Sequence, residues 1–244
     1  MHLSLPPFWS SWLAWPKPPP APSRFLAFSS FSRRLARLLT QPAELRIDVD
    51  PPAATIEQEL DALYQRLHTP GDALHGLPSS PLPGHPGLRV RSREADGELY
   101  VYIEDPLRQC LAGTTVFNRL IELNRQADRH LRAPHSRYAA AYQRRGLATA
   151  VYRWALDGGQ CLISGARQSV GAHALWQRLG QAYPQGYVCV QDKTLRYLGP
   201  QPEPRVLNAL HTRRLLLGRG WTLARLASAT GMHAVDGAGL TTEV

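Results

Sequence analysis

The spacing of apolar and polar residues changes along the chain, and the clearest pattern is a series of strands. Between residues 88 and 117, three runs rich in β-branched and aromatic residues are separated by Asp96-Gly97 and Asp105-Pro106. Asp-Gly favours a type I′ hairpin turn, so the three runs predict an antiparallel meander. A weaker fourth strand is expected from about residue 131 to 140.

The pattern then changes to a helical period. From Leu147 the apolar residues recur at intervals of three and four, and Asp157-Gly158-Gly159 provides a stop signal. The residues that follow predict a strand at 161–163, a helix from about 170 to 179, and a hairpin over 187–198. The predicted fold class is α+β, with the order ββββαβαββ and a central mixed, mostly antiparallel sheet flanked by helices.

Composition shifts divide the chain into four regions. Residues 1–41 hold a tryptophan- and proline-rich arm and then a basic amphipathic helix, which we expect to dock on the core rather than on a membrane. Residues 42–199 are the main domain, opening with a strand at 45–49 and a helix. Two helical patterns in residues 200–232 predict an appended helical hairpin, and the small, polar residues 233–244 predict a disordered tail.

Charge and cysteine content narrow the range of partners and compartments. The 28 Lys and Arg residues outnumber the 19 Asp and Glu residues, giving a formal net charge of +9 that favours anionic partners. Cys110, Cys161 and Cys189 are odd in number and widely spaced, which indicates reduced thiols and neither a disulfide framework nor a metal site. No apolar run approaches the roughly 18 residues of a membrane span. We therefore expect a cytoplasmic protein without a transmembrane segment.

The segment from His135 to Ala148 carries the strongest chemical signal, because a predicted strand leads directly into a predicted helix. The first turn of a helix offers unpaired N–H groups and a positive dipole end, which together attract anions. Gly146 lets the backbone approach a phosphate closely. Arg144 and Arg145 add positive charge, so this turn is predicted to bind a phosphate group.

The hexapeptide Gln143-Arg144-Arg145-Gly146-Leu147-Ala148 resembles the pyrophosphate loop of GNAT N-acetyltransferases, and residues 88–199 are similar to a GNAT domain. The resemblance implies the GNAT acyl-CoA N-acyltransferase fold, acetyl-CoA as co-substrate, and direct acetyl transfer to an amine without a metal or an acyl-enzyme. It also implies that the turn holds the CoA pyrophosphate while a splayed strand binds pantetheine. The implied cofactor-binding residues are Ser136, Tyr138, Ala139, Ala140, Gln143, Arg144, Arg145, Gly146, Leu147, Ala148 and Ser169.

The resemblance is incomplete at the position of the general acid. GNAT enzymes often carry an Asn followed seven residues later by a Tyr that protonates the CoA sulfur. Ser169 and Trp176 occupy these places here. Because indole cannot donate that proton, Tyr183, Tyr142 or solvent is expected to substitute.

The general base is assigned to His135, which lies about where the family places a glutamate. Its unperturbed pKa of about 6.5 suits proton abstraction near neutral pH. Glu104 and Glu122 are the alternative bases.

Three functions are compatible with these features. The leading interpretation is an acetyl-CoA-dependent acetyltransferase whose amine acceptor, a small molecule or a protein, is not defined by the motif. A non-catalytic acyl-CoA sensor is suggested by Trp176. A nucleic-acid-binding protein is the less favoured third interpretation, based on the net charge and on four arginines of the C-terminal segments, Arg205, Arg213, Arg214 and Arg219.

Overall fold

A computed structural model describes residues 53–207 and 209–234. The predicted arm and helix of residues 1–41 and the predicted strand at 45–49 lie outside the described residues, as does most of the predicted tail. The described helices are α1 (Ala53–His68), α2 (Arg125–Asp128), α3 (Leu147–Asp157), α4 (Val170–Gly180), α5 (Pro204–Leu207) and α6 (Leu223–Thr230). The strands are β1 (Ser79–Pro81), β2 (Arg89–Ala95), β3 (Glu98–Asp105), β4 (Cys110–Asn118), β5 (Leu131–Tyr138), β6 (Cys161–Ile163), β7 (Gln185–Gln191), β8 (Thr194–Gly199), β9 (Thr212–Leu216) and β10 (His233–Ala234).

The strands form one mixed sheet in the order β1-β2-β3-β4-β5-β6-β9-β7-β8-β10. Neighbours from β1 to β5 are antiparallel, β5 and β6 are parallel, and β6, β9, β7 and β8 are again antiparallel. The short β10 runs parallel to β8. The predicted α+β class, with a mostly antiparallel mixed sheet, is therefore confirmed.

The predicted meander forms for the reason that its turn residues suggest. Asp96 and Gly97 both have positive φ angles, of 55° and 77°, as a type I′ turn requires. They connect β2 and β3, which pair from Arg89↔Glu104 to Ala95↔Glu98. A local two-residue signal thus sets the register of the hairpin.

Helices cover both faces of the sheet. On one face, α3 and α4 bury their apolar residues against Val101 and Phe117, both fully buried. On the other face, α1 packs Leu60 and Leu67 against Tyr102 of β3. A further cluster joins α6 to β6, β7, β8 and β9. Removing these apolar side chains from water is the main driving force that fixes the helices on the sheet.

The predicted C-terminal helical hairpin of residues 200–232 is wrong. Among the described residues of this range only α5 and α6 are helical, and Thr212–Leu216 forms β9, a fully buried strand inserted between β6 and β7. The two adjacent arginines of β9 were expected to lie in a terminal helix, whereas both are buried in the strand: Arg213 lies near Glu122, and the Arg214 Nη2 donates to the Tyr187 hydroxyl. A strand that is buried along its whole length shows no alternation of exposed and buried residues. Local periodicity therefore does not distinguish it from part of a helix.

The burial of these two arginines also changes the functional interpretation. Arg213 and Arg214 are 5% and 8% exposed, so they are not available to a nucleic acid. Within the predicted disordered tail, His233 and Ala234 form the strand β10, so the prediction is wrong for these two residues.

Candidate functional site

Strands β5 and β6 separate soon after they meet. Their parallel pairing covers only Leu131↔Cys161 and Arg132↔Leu162. Beyond that point β6 pairs only with β9 on its other side. Pro134 is the next residue of β5 that faces β6, and it has no N–H to donate. Residues 133–138 therefore present an edge that no described strand covers.

Two contacts fix the direction of the backbone groups along this edge. The Ala139 amide donates to the backbone of β4 at 3.1 Å, and the Asn118 side chain donates to the Ala133 carbonyl at 3.0 Å. Odd-numbered residues of β5 thus face β4. Because successive residues of a strand face opposite neighbours, the amides and carbonyls of Ser136 and Tyr138 face the open edge.

The open edge leads into the N-terminus of α3. Gly146 is the N-cap, with a φ of 81°, and no side chain caps this helix. By contrast, α4 and α6 are capped by their own hydroxyls: Ser169 accepts from the Ala172 amide, and Thr222 accepts from the Arg225 amide. The first amides of α3 thus retain their capacity to bind an anion.

The turn before α3 has an unusual backbone conformation. Arg144 has a φ of 59°, a left-handed conformation that is uncommon for residues other than glycine. Such conformations cluster at ligand-binding turns, where successive amides point into one concavity. The Gln143 side chain donates to the Tyr138 carbonyl at 3.1 Å, which ties the turn back to β5.

Tyr142 anchors the same turn to the hairpin between β3 and β4. Its hydroxyl donates to Asp105 Oδ2 at 2.7 Å, and its ring is buried. Burial and this hydrogen bond raise the pKa of Tyr142. Burial alone would raise the pKa of Asp105, but the Tyr142 hydroxyl and nearby donors lower it below its usual value. A tyrosine held in this way is a structural anchor, so Tyr142 is a poor substitute for the general acid.

A chain of hydroxyl groups lies on the α3 side of the open edge. Thr115 Oγ1 lies 2.8 Å from Ser136 Oγ and 3.1 Å from the Tyr138 hydroxyl. Ser136 Oγ donates to the Tyr152 hydroxyl at 3.4 Å, and that hydroxyl lies 3.5 Å from the Pro134 carbonyl. Burial raises the pKa of Tyr152 to about 12. This phenol therefore keeps its proton at neutral pH.

Tyr152 was not among the residues predicted from the sequence, although its position carries a signal. Tyr152 lies on the apolar face of α3 beside Val151 and Ala155, and a buried tyrosine normally needs a polar partner. Its ring is edge-on to buried Trp176, with centroids 6.2 Å apart. Trp176 is thus a core residue that positions Tyr152.

His135 lies on the opposite face of the sheet from Tyr152. It is exposed, pairs with Val116, and its Nε2 accepts from Arg137 Nε at 3.3 Å. Arg137 also forms an ion pair with Glu59 of α1. His135 therefore flanks the open edge from the side that α1 covers.

Glu104 is not positioned to act as a free base. It is 3% exposed, and it accepts from Arg91 Nε at 2.7 Å while lying 2.8 Å from His68 Nε2. Burial alone would raise the pKa of Glu104, but the bonds from Arg91 and His68 outweigh it and hold the pKa below its usual value. The carboxylate is thus an ion-pair partner, and its expected role as an alternative base is not supported by this environment.

Two other sequence candidates lie apart from the open edge. The Tyr183 hydroxyl donates to Asp157, at the end of α3 opposite Gly146. Burial raises the pKa of Tyr183, and the hydrogen bond to Asp157 raises it further. Glu122 Oε1 lies 3.6 Å from Arg213 Nη2 of β9. The structure therefore brings together the predicted residues between 135 and 148, and leaves Tyr183 and Glu122 in other surroundings.

No helix within residues 53–207 and 209–234 is long and apolar enough to cross a membrane. The same residues contain no cluster of His, Cys, Asp and Glu that could hold a metal ion. Among known proteins, no family model and no curated sequence matches the chain.

Proposed function

We propose that this protein is a GNAT-type N-acetyltransferase that transfers acetyl from acetyl-CoA directly to an amine. The observation that carries the proposal is the open edge of β5 running into the uncapped N-terminus of α3. One site thus combines extended backbone donors and acceptors with an anion-binding helix end, and acetyl-CoA contains a diamide arm joined to a pyrophosphate.

The pantetheine arm fits the open edge. Its two amides need donors and acceptors in an extended arrangement, as an added strand would. The amides and carbonyls of Ser136 and Tyr138 face that direction, although Gln143 already donates to the Tyr138 carbonyl. We assign pantetheine to this edge, with Ala139 and Ala140 leading toward the phosphates.

The pyrophosphate fits the start of α3. The amides of Leu147 and Ala148 are not capped by a side chain of the N-cap residue, and Gly146 leaves the approach to them open. Arg144 and Arg145 supply positive charge beside them. Ser169, by contrast, uses its hydroxyl to cap α4, so we assign it a structural role.

The transfer requires a base for the attacking amine and a proton for the departing thiolate. His135 is the proposed base, because its imidazole is exposed beside the open edge. Tyr152 is the proposed acid, because its hydroxyl lies 3.5 Å from the Pro134 carbonyl of this edge and keeps its proton at neutral pH. The phenolate left behind is reprotonated through Ser136 and solvent. This pairing places the acid and the base on opposite faces of the same strand.

Turnover tests this proposal against the sensor alternative. Purified protein is incubated with acetyl-CoA and a panel of polyamines, amino acids, aminoglycosides and lysine peptides, while free CoA thiol and acetylated acceptor are both measured. We expect acceptor-dependent thiol release that Gly146→Asp abolishes. Binding of acetyl-CoA without turnover on any acceptor favours a sensor, and absence of binding refutes both.

A further inference from the structure

Two arginines from separate parts of the chain converge on one aromatic ring beside the proposed pyrophosphate site. The guanidinium carbon of Arg108, from the hairpin between β3 and β4, lies 5.8 Å from the centroid of the Tyr142 ring. That of Arg145, from the turn before α3, lies 5.2 Å from the same centroid. The ring is buried and its hydroxyl is held by Asp105.

This arrangement leaves positive charge without a matching carboxylate. Asp105 Oδ2 is 3.9 Å from Arg108 Nε, and it already accepts a hydrogen bond from the Tyr142 hydroxyl. Within the described part of the chain, Arg144 and Arg145 have no ion-pair partner. Two guanidinium groups, those of Arg108 and Arg145, therefore lie beside one carboxylate, and the excess positive charge favours an anionic ligand group.

We infer that Arg108 and Arg145 bind the 3′-phosphate of coenzyme A, so that the protein distinguishes coenzyme A from its 3′-dephospho form. The inference rests on the proposed function, which assigns the pyrophosphate to α3. A phosphate monoester carries up to two negative charges, whereas the backbone amides of α3 are already assigned to the pyrophosphate. Contact with the Tyr142 ring limits the freedom of both arginines, which lowers the entropy lost on binding.

The same hairpin turn offers a surface for the rest of the nucleotide. Leu107, beside Arg108, is 93% exposed. We assign the adenine of the nucleotide to this apolar side chain, which is the neighbour of Arg108 in the chain. One turn thus combines a cation for the phosphate with an apolar contact for the base.

The test is calorimetric titration with coenzyme A and with 3′-dephospho-coenzyme A at one fixed ionic strength. Wild-type protein, Arg108→Gln and Arg145→Gln are compared with Arg129→Gln, a control that removes the same charge from an exposed arginine before β5. The Arg108 side chain is 62% exposed, so its substitution is not expected to disturb folding. Melting temperatures verify this for each variant.

We expect the wild type to bind coenzyme A at least about tenfold more tightly than the dephospho form, as one charge-assisted contact allows. Arg108→Gln should reduce this ratio several-fold by weakening coenzyme A alone. Arg145→Gln should also reduce the ratio, but it should weaken both ligands, because Arg145 lies beside the pyrophosphate that both carry. Arg129→Gln should preserve the ratio. Equal binding of both ligands by the wild type, or equal weakening of both by Arg108→Gln, overturns the 3′-phosphate site and leaves the proposed function standing. Failure of the wild type to bind either ligand refutes the proposed function instead.

Discussion

Charge at the N-cap of α3 provides a sharp perturbation of the proposed site. Gly146 has a φ of 81°, and a Cβ added there meets only His85 Cε1, at 3.9 Å. A small side chain therefore fits, and its main cost is the left-handed backbone, about 1 kcal/mol for a residue with a Cβ. Asn and Asp tolerate this conformation best and have nearly the same shape, so Gly146→Asn is a matched control for Gly146→Asp.

The two variants differ only in charge at the place where the pyrophosphate is expected. Two unit charges about 5 Å apart repel by about 1.7 to 3.3 kcal/mol at an effective dielectric constant of about 20 to 40. That energy corresponds to a loss of affinity of roughly 20- to 250-fold. We therefore expect Gly146→Asp to bind acetyl-CoA at least about 20-fold more weakly than Gly146→Asn, with similar melting temperatures for both.

Calorimetric titration of both variants with acetyl-CoA, at low and at moderate salt, measures this difference. Added salt should narrow it, because ions screen the repulsion. If the two variants bind acetyl-CoA with equal affinity, the pyrophosphate does not lie at the N-terminus of α3.

Three further predictions concern individual side chains. His135→Ala should lower kcat/KM by roughly 100-fold and remove the acidic limb of its pH profile while acetyl-CoA affinity is kept; wild-type rates from pH 6 to 9 would place the base elsewhere. Tyr152→Phe should lower kcat with little change in KM or in melting temperature, since its two hydrogen bonds are long; an unchanged kcat would exclude it as the acid. Glu104 has a folded pKa below its unfolded value, so its contribution to stability is present above about pH 4.5 and lost as pH falls through the folded pKa. The gap in urea midpoint between wild type and Glu104→Gln should therefore shrink in acid, and a gap independent of pH would contradict this ion-pair account.

The elements that sequence predicted well are those set by neighbouring residues. Asp96-Gly97 specifies its turn by backbone preference alone, and the period of α3 follows from the spacing of residues such as Leu147 and Val151. The turn between β5 and α3 was likewise visible, because a strand, a glycine and a helix start are adjacent in the chain. Local chemistry was sufficient for these features.

The features that sequence missed depend on distant partners. Strand β9 is stable because Arg214 meets Tyr187 and Arg213 meets Glu122, contacts that no local window contains. Glu104 is buried because Arg91 and His68 come to it from another strand and a helix. The divergence of β5 from β6 had a local cause in Pro134, but its consequence becomes visible only when the neighbouring strand is known.

Amide hydrogen exchange along β5 tests the central claim most directly, because neighbouring residues provide the control. The amides of His135 and Arg137 face β4 and should be protected in the free protein. Those of Ser136 and Tyr138 face the open edge and should exchange fast until acetyl-CoA is added, together with the amides of Leu147 and Ala148. Selective protection of these four amides by acetyl-CoA is the result that the account predicts. If saturating acetyl-CoA leaves their exchange unchanged, or protects other segments instead, acetyl-CoA does not bind between β5 and α3.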